Sequence, residues 1–373
     1  MTENIFIKSS KSNTGKFMEI SPKILKTLKQ GVLKNKAYTL KPVSCKIKLN
    51  QNESPFDLPS EIKLKIIEKL RNSKWNIYPD FVPNELYEKV SLYYKFDKEN
   101  LLIGNGSNEM IFTILTSTIE TARKIIIPTP TFTVYGLLSS NLNADIRLVM
   151  LNPDFSFNVP EIIKECRTEG SVTIICSPNN PTGTFMKRSD IEEIVKASQG
   201  LVIIDEAYIH FGGESVLDLV NVYPNLIVLR TFSKAFGLAG LRIGMMFSNK
   251  TLIREFSKVK LPYNLNIFTL SALMEIFDNP EYILENIKKI IVERDFLGSE
   301  LAKFSGVNIV PTSANFFLAK FDDSEKVFND LVNEDILVRD YNNYPMLENH
   351  LRISVGNRNE NTALVNALKK ILK

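Results

Sequence analysis

The chain has 373 residues, long enough for a large core and two structural lobes, and its 44% hydrophobic and 24% charged residues match a globular enzyme. Its 46 basic and 42 acidic residues leave a charge of +4 that is spread along the sequence, without the basic stripe that nucleic acid or a membrane surface requires. Three cysteines (Cys45, Cys166, Cys176) lack CxxC spacing and fit a reducing compartment, while two histidines (His210, His350) are too few for a histidine-rich metal site.

Met1 to Phe17 is polar and lacks the apolar run of a signal peptide, and no stretch approaches 18 consecutive apolar residues, so a cytoplasmic protein is expected. The first 45 residues predict an irregular, lysine-rich arm with one short helix around Pro22–Leu33. A helix is predicted from Pro59, with Ile62, Ile66, Ile67 and Leu70 on one face. Short apolar runs at Ile125–Ile127, Val172–Cys176, Leu201–Asp205 and Leu226–Leu229 read as buried strands. Between the second and third, Ser189-Asp-Ile-Glu192 has the pattern of a capping box opening a helix that carries Ile191, Ile194 and Val195. Strands alternating with helices imply an α/β fold, a mainly parallel sheet with helices on both faces. After about residue 265 the pattern changes to long amphipathic helices and a few strands, including Phe316–Ala319 and Leu351–Val355, closed by a helix carrying Leu364, Leu368, Ile371 and Leu372. The expected division is an arm over 1–57 joined to a smaller α+β domain over 266–373, with a large domain over 58–265.

In such sheets ligands collect at the carboxyl ends of the strands, and the chemically suggestive motifs fall there. Thr231-Phe-Ser-Lys-Ala-Phe-Gly-Leu-Ala-Gly-Leu-Arg242 sets Lys234 between two hydroxyl residues in an apolar, glycine-bearing segment. An amine whose pKa falls on burial becomes a nucleophile suited to a carbonyl. Thr231, Ser233 and Arg242 offer the hydroxyl donors and the cationic fork that a phosphate takes. Amine and phosphate grip together suggest pyridoxal phosphate, whose aldehyde bonds covalently to lysine. A helix-edge lysine with its head in solvent fits the same stretch. Asp205, ending an apolar strand, suits a protonated pyridine nitrogen, or else caps a neighbouring turn. Tyr208 and Asn180 are placed to donate to the ring oxygen, and Pro178 and Pro181 stiffen the loop that carries Asn180. Gly104-Asn-Gly-Ser-Asn-Glu109, ahead of a helix starting near Met110, departs from GxGxxG at Glu109 and suits a cradle for one phosphate, with Ser107 and Asn108 as donors.

Seven landmarks in order carry a resemblance: Leu49-Asn-Gln-Asn-Glu53-Ser-Pro, Ile77-Tyr78-Pro79, Gly106-Ser-Asn-Glu109, the Asn180 loop, Asp205 with Tyr208, the Lys234 segment, and Leu351-Arg352-Ile-Ser-Val-Gly356. From roughly Tyr38 onward the chain resembles a fold-type I pyridoxal-phosphate aminotransferase of the histidinol-phosphate aminotransferase branch. The resemblance implies that Lys234 bonds the cofactor and shuttles the substrate's Cα proton, that Asp205 holds the ring nitrogen, and that Asn180 and Tyr208 hold the ring oxygen. It further implies that Ser107, Asn108, Thr231, Ser233 and Arg242 hold the cofactor phosphate and that Phe132 stacks on the ring, where many relatives carry tyrosine. Tyr78 matches a residue that reaches the cofactor phosphate of a neighbouring subunit, which implies a homodimer.

Arg352 matches the arginine that grips the substrate carboxylate in this family. Arg339 and Tyr38 match residues associated with the substrate phosphate, and Asn180 borders the same pocket. Two converging arginines suit a dianion. The implied activity is transamination of a small phosphorylated amino alcohol or keto compound, with histidinol phosphate leading and glutamate as partner. Amination of another ketone such as dihydroxyacetone phosphate, decarboxylation of an O-phospho amino acid, and a non-catalytic binding role are the alternatives on the same scaffold.

Overall fold

The computed structural model describes residues 20–37, 43–120 and 122–372. The arm holds two short helices, α1 (Pro22–Leu25) and α2 (Gln30–Lys34), in place of the one expected over Pro22–Leu33. The break has a local cause. The Thr27 hydroxyl donates to the Ile24 carbonyl and Lys29 is extended (ψ 140°), so the helical ladder stops and restarts. After β1 (Ile47–Lys48) comes α3 (Ser60–Arg71), which begins after Pro59 and has Glu61 in its first turn and Lys69 and Arg71 in its last, as the helix dipole favours. Its buried stripe is Ile62, Ile66 and Leu70; Ile67 is 56% exposed and does not share that face, because adjacent helical residues point about 100° apart.

Next come α4 (Asn84–Tyr94), β2 (Leu101–Gly104), α5 (Ser107–Thr118), β3 (Lys124–Thr129), α6 (Thr133–Asn141), β4 (Asp145–Met150), α7 (Val159–Cys166), β5 (Val172–Cys176), α8 (Arg188–Ala197), β6 (Leu201–Asp205), β7 (Leu226–Thr231) and β8 (Gly244–Ser248). The strand readings hold within two residues. The capping box does not: α8 starts at Arg188, so Ser189 lies inside its first turn and turns its hydroxyl to Asp190. Ile191, Ile194 and Val195 are buried, as their spacing predicts.

Seven strands form one sheet in the order β2-β8-β7-β6-β5-β3-β4, in which β8 runs antiparallel to both neighbours and the β3, β4, β5, β6 and β7 pairings are parallel. β5 and β7 are buried along their whole length, and β6 all but its first residue. Alternation divides their side chains between two cores. Ile174, Ile203, Ile227 and Leu229 pack with α5 and Tyr135 of α6, whereas Ile175, Ile204 and Val228 pack on the other side with Phe232 and Phe236. The α2 segment lies on α6, where the Gly31 amide donates to Asn143 Oδ1 (2.7 Å) and Asn35 Nδ2 to Asn141 Oδ1 (2.7 Å).

The remaining elements are α9 (Lys250–Ser257), α10 (Ile267–Asp278), the 21-residue α11 (Glu281–Leu301), β9 (Asn308–Ile309), β10 (Phe316–Lys320), α12 (Ser324–Asn333), β11 (Ile336–Leu337), β12 (Arg339–Asp340), β13 (His350–Ser354) and α13 (Arg358–Ile371). A second, antiparallel sheet runs β12-β13-β10-β9, and β1 pairs in parallel with β11. In α13, Leu364 and Leu368 are fully buried while Ile371 and Leu372 are half-buried. Among the described residues no helix is long and apolar enough to cross a membrane.

Helix α11 also reaches the Lys234 segment. Asn286, buried, donates from Nδ2 to the Ala235 carbonyl at 2.7 Å. Asn286→Ala leaves that buried carbonyl unpaired, and a loss of about 1–3 kcal/mol in urea unfolding is expected. An unchanged midpoint would remove this tie from the account.

Candidate active site

A cavity of about 430 Å³ opens at the carboxyl ends of β3, β5, β6 and β7, within the range of small-molecule sites. It is lined by Ser107, Asn108, Phe132, Asn180, Asp205, Tyr208, Thr231, Ser233, Lys234, Arg242, Arg339 and Arg352, all of them residues singled out above. Lys234 and Asp205 thus share one space.

Asp205 is the last residue of β6 and points to the α6 side of the sheet. Its Oδ1 accepts the Ala207 amide (3.0 Å) and its Oδ2 accepts the Tyr135 hydroxyl (2.7 Å). Burial raises its pKa to about 6 against the lowering effect of these two donors. No cation among the described residues pairs with it, so the carboxylate is set to receive one from a ligand. Tyr135 was missed from the sequence. It lies one helical turn after Phe132, a spacing that places both rings on one side of α6, and the rings meet edge to face at 5.4 Å.

Lys234 sits in the loop after β7. Its Nζ donates to the Gln51 carbonyl (2.8 Å) and lies 6.0 Å from the centre of the Tyr208 ring. Burial, and then the Arg352 guanidinium, lower its pKa to about 7. Near neutral pH a large fraction of this side chain is therefore free amine, the form that attacks a carbonyl. Tyr208, buried, accepts from Asn52 Nδ2 (3.0 Å), which leaves its own hydroxyl proton to donate. Asn52 was quoted only as part of a landmark. Its buried side chain and positive φ (54°) show that it is structural to the site.

The anion cradle is built by close backbone approach. Gly106 (φ 84°) caps α5, so the Ser107 and Asn108 amides open a helix N-terminus. A side chain at Gly106 would collide with Arg242 Nη2 at 2.7 Å, and one at Gly244 with the Ser107 nitrogen at 2.1 Å. Both glycines therefore keep the helix end, the guanidinium and β8 in contact. Arg242, itself left-handed (φ 54°), donates to the Ala239 carbonyl (3.1 Å) and approaches Ser233 Oγ (3.4 Å). Thr231 Oγ1 accepts the Ser233 amide at 3.2 Å.

Arg352, in the centre of β13, donates from Nη1 to Asn180 Oδ1 (2.5 Å) and Tyr341 (3.1 Å), and from Nη2 to the Asn50 carbonyl (2.6 Å). Asn180 Oδ1 is thereby occupied, and its Nδ2 remains as the donor. Arg339 pairs across β12 and β13 with Arg352. The Asp340 carboxylate accepts from the Asn342 amide, and the Arg339 guanidinium lies 6.0 Å from the centre of the Tyr341 ring. Tyr341 and Tyr344, unremarked in the sequence, complete this wall. Tyr38 lies outside the described residues. Tyr78 does not line the cavity of its own chain; it is 76% exposed and stacks on Tyr263 at 4.6 Å.

The family described as Aminotransferase class I and II matches residues 44–368. A curated relative, histidinol-phosphate aminotransferase of Chlorobaculum tepidum, is 40% identical over 330 residues, covering 87% of this chain and 94% of that one. The crystal structure of histidinol-phosphate aminotransferase from Clostridium acetobutylicum superposes with a TM-score of 0.81 at 25% identity, covering 87% of this chain and 98% of that chain. The Sinorhizobium meliloti histidinol-phosphate aminotransferase, solved in complex with pyridoxal-5'-phosphate, gives 0.81 at 20% identity and covers 96% and 95%.

The depressed pKa of Lys234 has a direct readout. Acylation of the cofactor-free protein by an amine reagent, followed residue by residue by mass spectrometry, should label Lys234 with a midpoint near pH 7, since deprotonation there requires only that pH. Lys46, Lys164 and Lys196, whose acidic partners raise their pKa values, should follow only at much higher pH. A Lys234 midpoint in that upper range would mean that the amine is charged in the cavity.

Proposed function

Because this chain belongs to the class I and II aminotransferases, whose cofactor is pyridoxal phosphate, we propose that it moves an amino group between histidinol phosphate and 2-oxoglutarate. The residues fit the cofactor. A buried carboxylate without a cation, a largely neutral lysine, and a helix N-terminus beside a guanidinium match its ring nitrogen, aldehyde and phosphate. When bound, pyridoxal phosphate supplies the carbonyl that takes up amino groups and a ring that draws electrons from the substrate Cα.

The chain's own groups then have separate tasks. Asp205, held by Tyr135, keeps the ring nitrogen protonated, and Asn180 and Tyr208 donate to the ring oxygen. The Ser107 and Asn108 amides, with Thr231, Ser233 and Arg242, hold the phosphate, while Phe132 packs on the ring. Lys234 Nζ anchors the cofactor, then takes the Cα proton of the substrate and returns it. Arg352, locked by Asn180 and the Asn50 carbonyl, grips the carboxylate of glutamate.

The observation that carries the substrate reading is charge. Three guanidinium side chains (Arg242, Arg339, Arg352) face two acidic ones (Glu53, Asp205) around the cavity, and Glu53 is paired with Lys48 at 2.7 Å. One phosphate is satisfied at Arg242 and the α5 N-terminus. Arg339 and Arg352 can hold a second, which a phosphorylated amino alcohol brings. The 40% identity to an enzyme named for histidinol phosphate selects among such compounds.

The same reading makes 58–265 the cofactor-binding part and 266–373, with the arm 1–57, the smaller part; the origin of the two sheets in separate stretches supports it. It also makes the protein a homodimer in which Tyr78 reaches the neighbouring cofactor phosphate. Trp75, Ile77, Tyr78 and Phe81 form an exposed apolar patch of the kind that a second subunit covers, which supports this. Free thiols at Cys45, Cys166 and Cys176 suit the cytoplasm.

Lys234→Ala is expected to keep the parent's melting temperature and lose roughly a hundredfold or more in kcat; turnover near the parent's would overturn its role. Arg339→Ala should lose about tenfold or more in kcat/KM for histidinol phosphate while glutamate turnover changes far less. Equal use of histidinol and its phosphate by the parent enzyme would sink the two-arginine reading.

A further inference from the structure

Behind the cavity, on the opposite face of the central sheet, a buried ion pair joins the two strand ends that carry the cofactor groups. Glu206 follows Asp205 directly, and Arg230 directly precedes Thr231. The β6–β7 register pairs Asp205 with Leu229, and the Glu206 amide donates to the Leu229 carbonyl at 3.0 Å, so Glu206 and Arg230 are the next partners across the strands. Their side chains meet, Oε2 to Nη2, at 2.6 Å, with 1% and 7% of the side chains exposed.

Both carboxylate oxygens and both terminal guanidinium nitrogens are held, while Arg230 Nε is buried without a partner among the described residues. Glu206 Oε1 accepts the Val216 amide (2.7 Å) and Oε2 accepts the Ser215 hydroxyl (3.1 Å), while Arg230 Nη2 also donates to Ser215 Oγ (2.9 Å). Arg230 Nη1 lies 3.3 Å from His210 Nε2; since a guanidinium only donates, that nitrogen accepts. None of Glu206, His210, Ser215 and Arg230 lines the cavity, so none touches substrate.

We propose that Glu206 and Arg230 are positioning residues for the cofactor. They clamp the ends of β6 and β7 so that Asp205 stands at a fixed spacing from the Thr231–Lys234 turn. Asp205 answers the ring nitrogen, and that turn answers the phosphate and carbonyl. The clamp sets how well one rigid molecule can satisfy both ends together. A buried pair adds little to stability that apolar residues of equal volume would not supply. What it adds is direction: hydrogen bonds of fixed length and angle hold two strand ends in one register, whereas packed methyl groups tolerate small slips.

This distinction gives the test. In the double variant Glu206→Gln/Arg230→Met no charge is left unpaired, so the holoenzyme is expected to keep a melting temperature close to the parent's. Cofactor release, followed by trapping on excess apo-acceptor, should be about tenfold faster or more. The pH midpoint of the bound cofactor's visible absorption should also move, a signature that simple core filling would leave in place. A double variant with parental stability, parental release and an unmoved midpoint overturns the proposal. Should the double variant not fold, Glu206→Asp decides. It keeps the charge and shortens the reach, and release at the parent's rate would equally overturn the clamp. Both readouts are independent of the substrate, so they stand whichever amine the enzyme uses.

Discussion

A half-buried amine facing a guanidinium is the constraint on which this site depends. Lys234 is enclosed by Tyr208, Arg352 and the segment around Gln51, whose carbonyl is its hydrogen-bond acceptor. That acceptor is itself placed from far away in sequence. Arg352 donates to the Asn50 carbonyl, the Ser354 hydroxyl accepts the Asn52 amide (2.8 Å) and donates to Asn52 Oδ1 (2.9 Å), and Asn315 donates to the Asn52 carbonyl (3.1 Å). The arginine that lowers the lysine pKa through its charge is thus also the one that fixes the lysine's partner. Burial supplies the larger part of the shift, and the arginine that adds to it is the one proposed to grip the substrate.

The central sheet makes this possible by keeping two kinds of chemistry on its two faces. Successive residues of a strand point opposite ways, so Asp205 and Thr231 serve the cavity while Glu206 and Arg230 lie in the apolar core behind it. Carboxylates and guanidinia can occupy neighbouring positions without neutralising each other across the site. Among the described residues no cation pairs with Asp205, which is the condition for attracting a ligand's. Glycines complete the arrangement where backbone must touch side chain, at Gly106 and Gly244.

Much of this was legible in the sequence because the strand ends carry polar residues in otherwise apolar runs. Asp205, Asn180 and Lys234 interrupt patterns that burial alone would have left apolar, and interruptions of that kind stand out. Tyr135 and Tyr341 did not, because an aromatic residue in an apolar stretch reads as packing, and only a carboxylate or guanidinium opposite it reveals the hydroxyl's work. The Ser189 capping pattern misled for a related reason: the motif describes a helix start, but the backbone entered the helix two residues earlier. Thr27, with a side chain that competes for the Ile24 carbonyl, divided a helix that periodicity alone would have continued.

The pinning of residues 50–52 by β13 carries a consequence for how the enzyme comes into being. Strands β5 to β8 leave the ribosome long before residues 350–354 do. Until those last residues dock, the guanidinium that faces Lys234 and the hydrogen bonds that pin residues 50–52 are absent, so the surroundings of the amine are completed only when the end of the chain folds back onto its beginning.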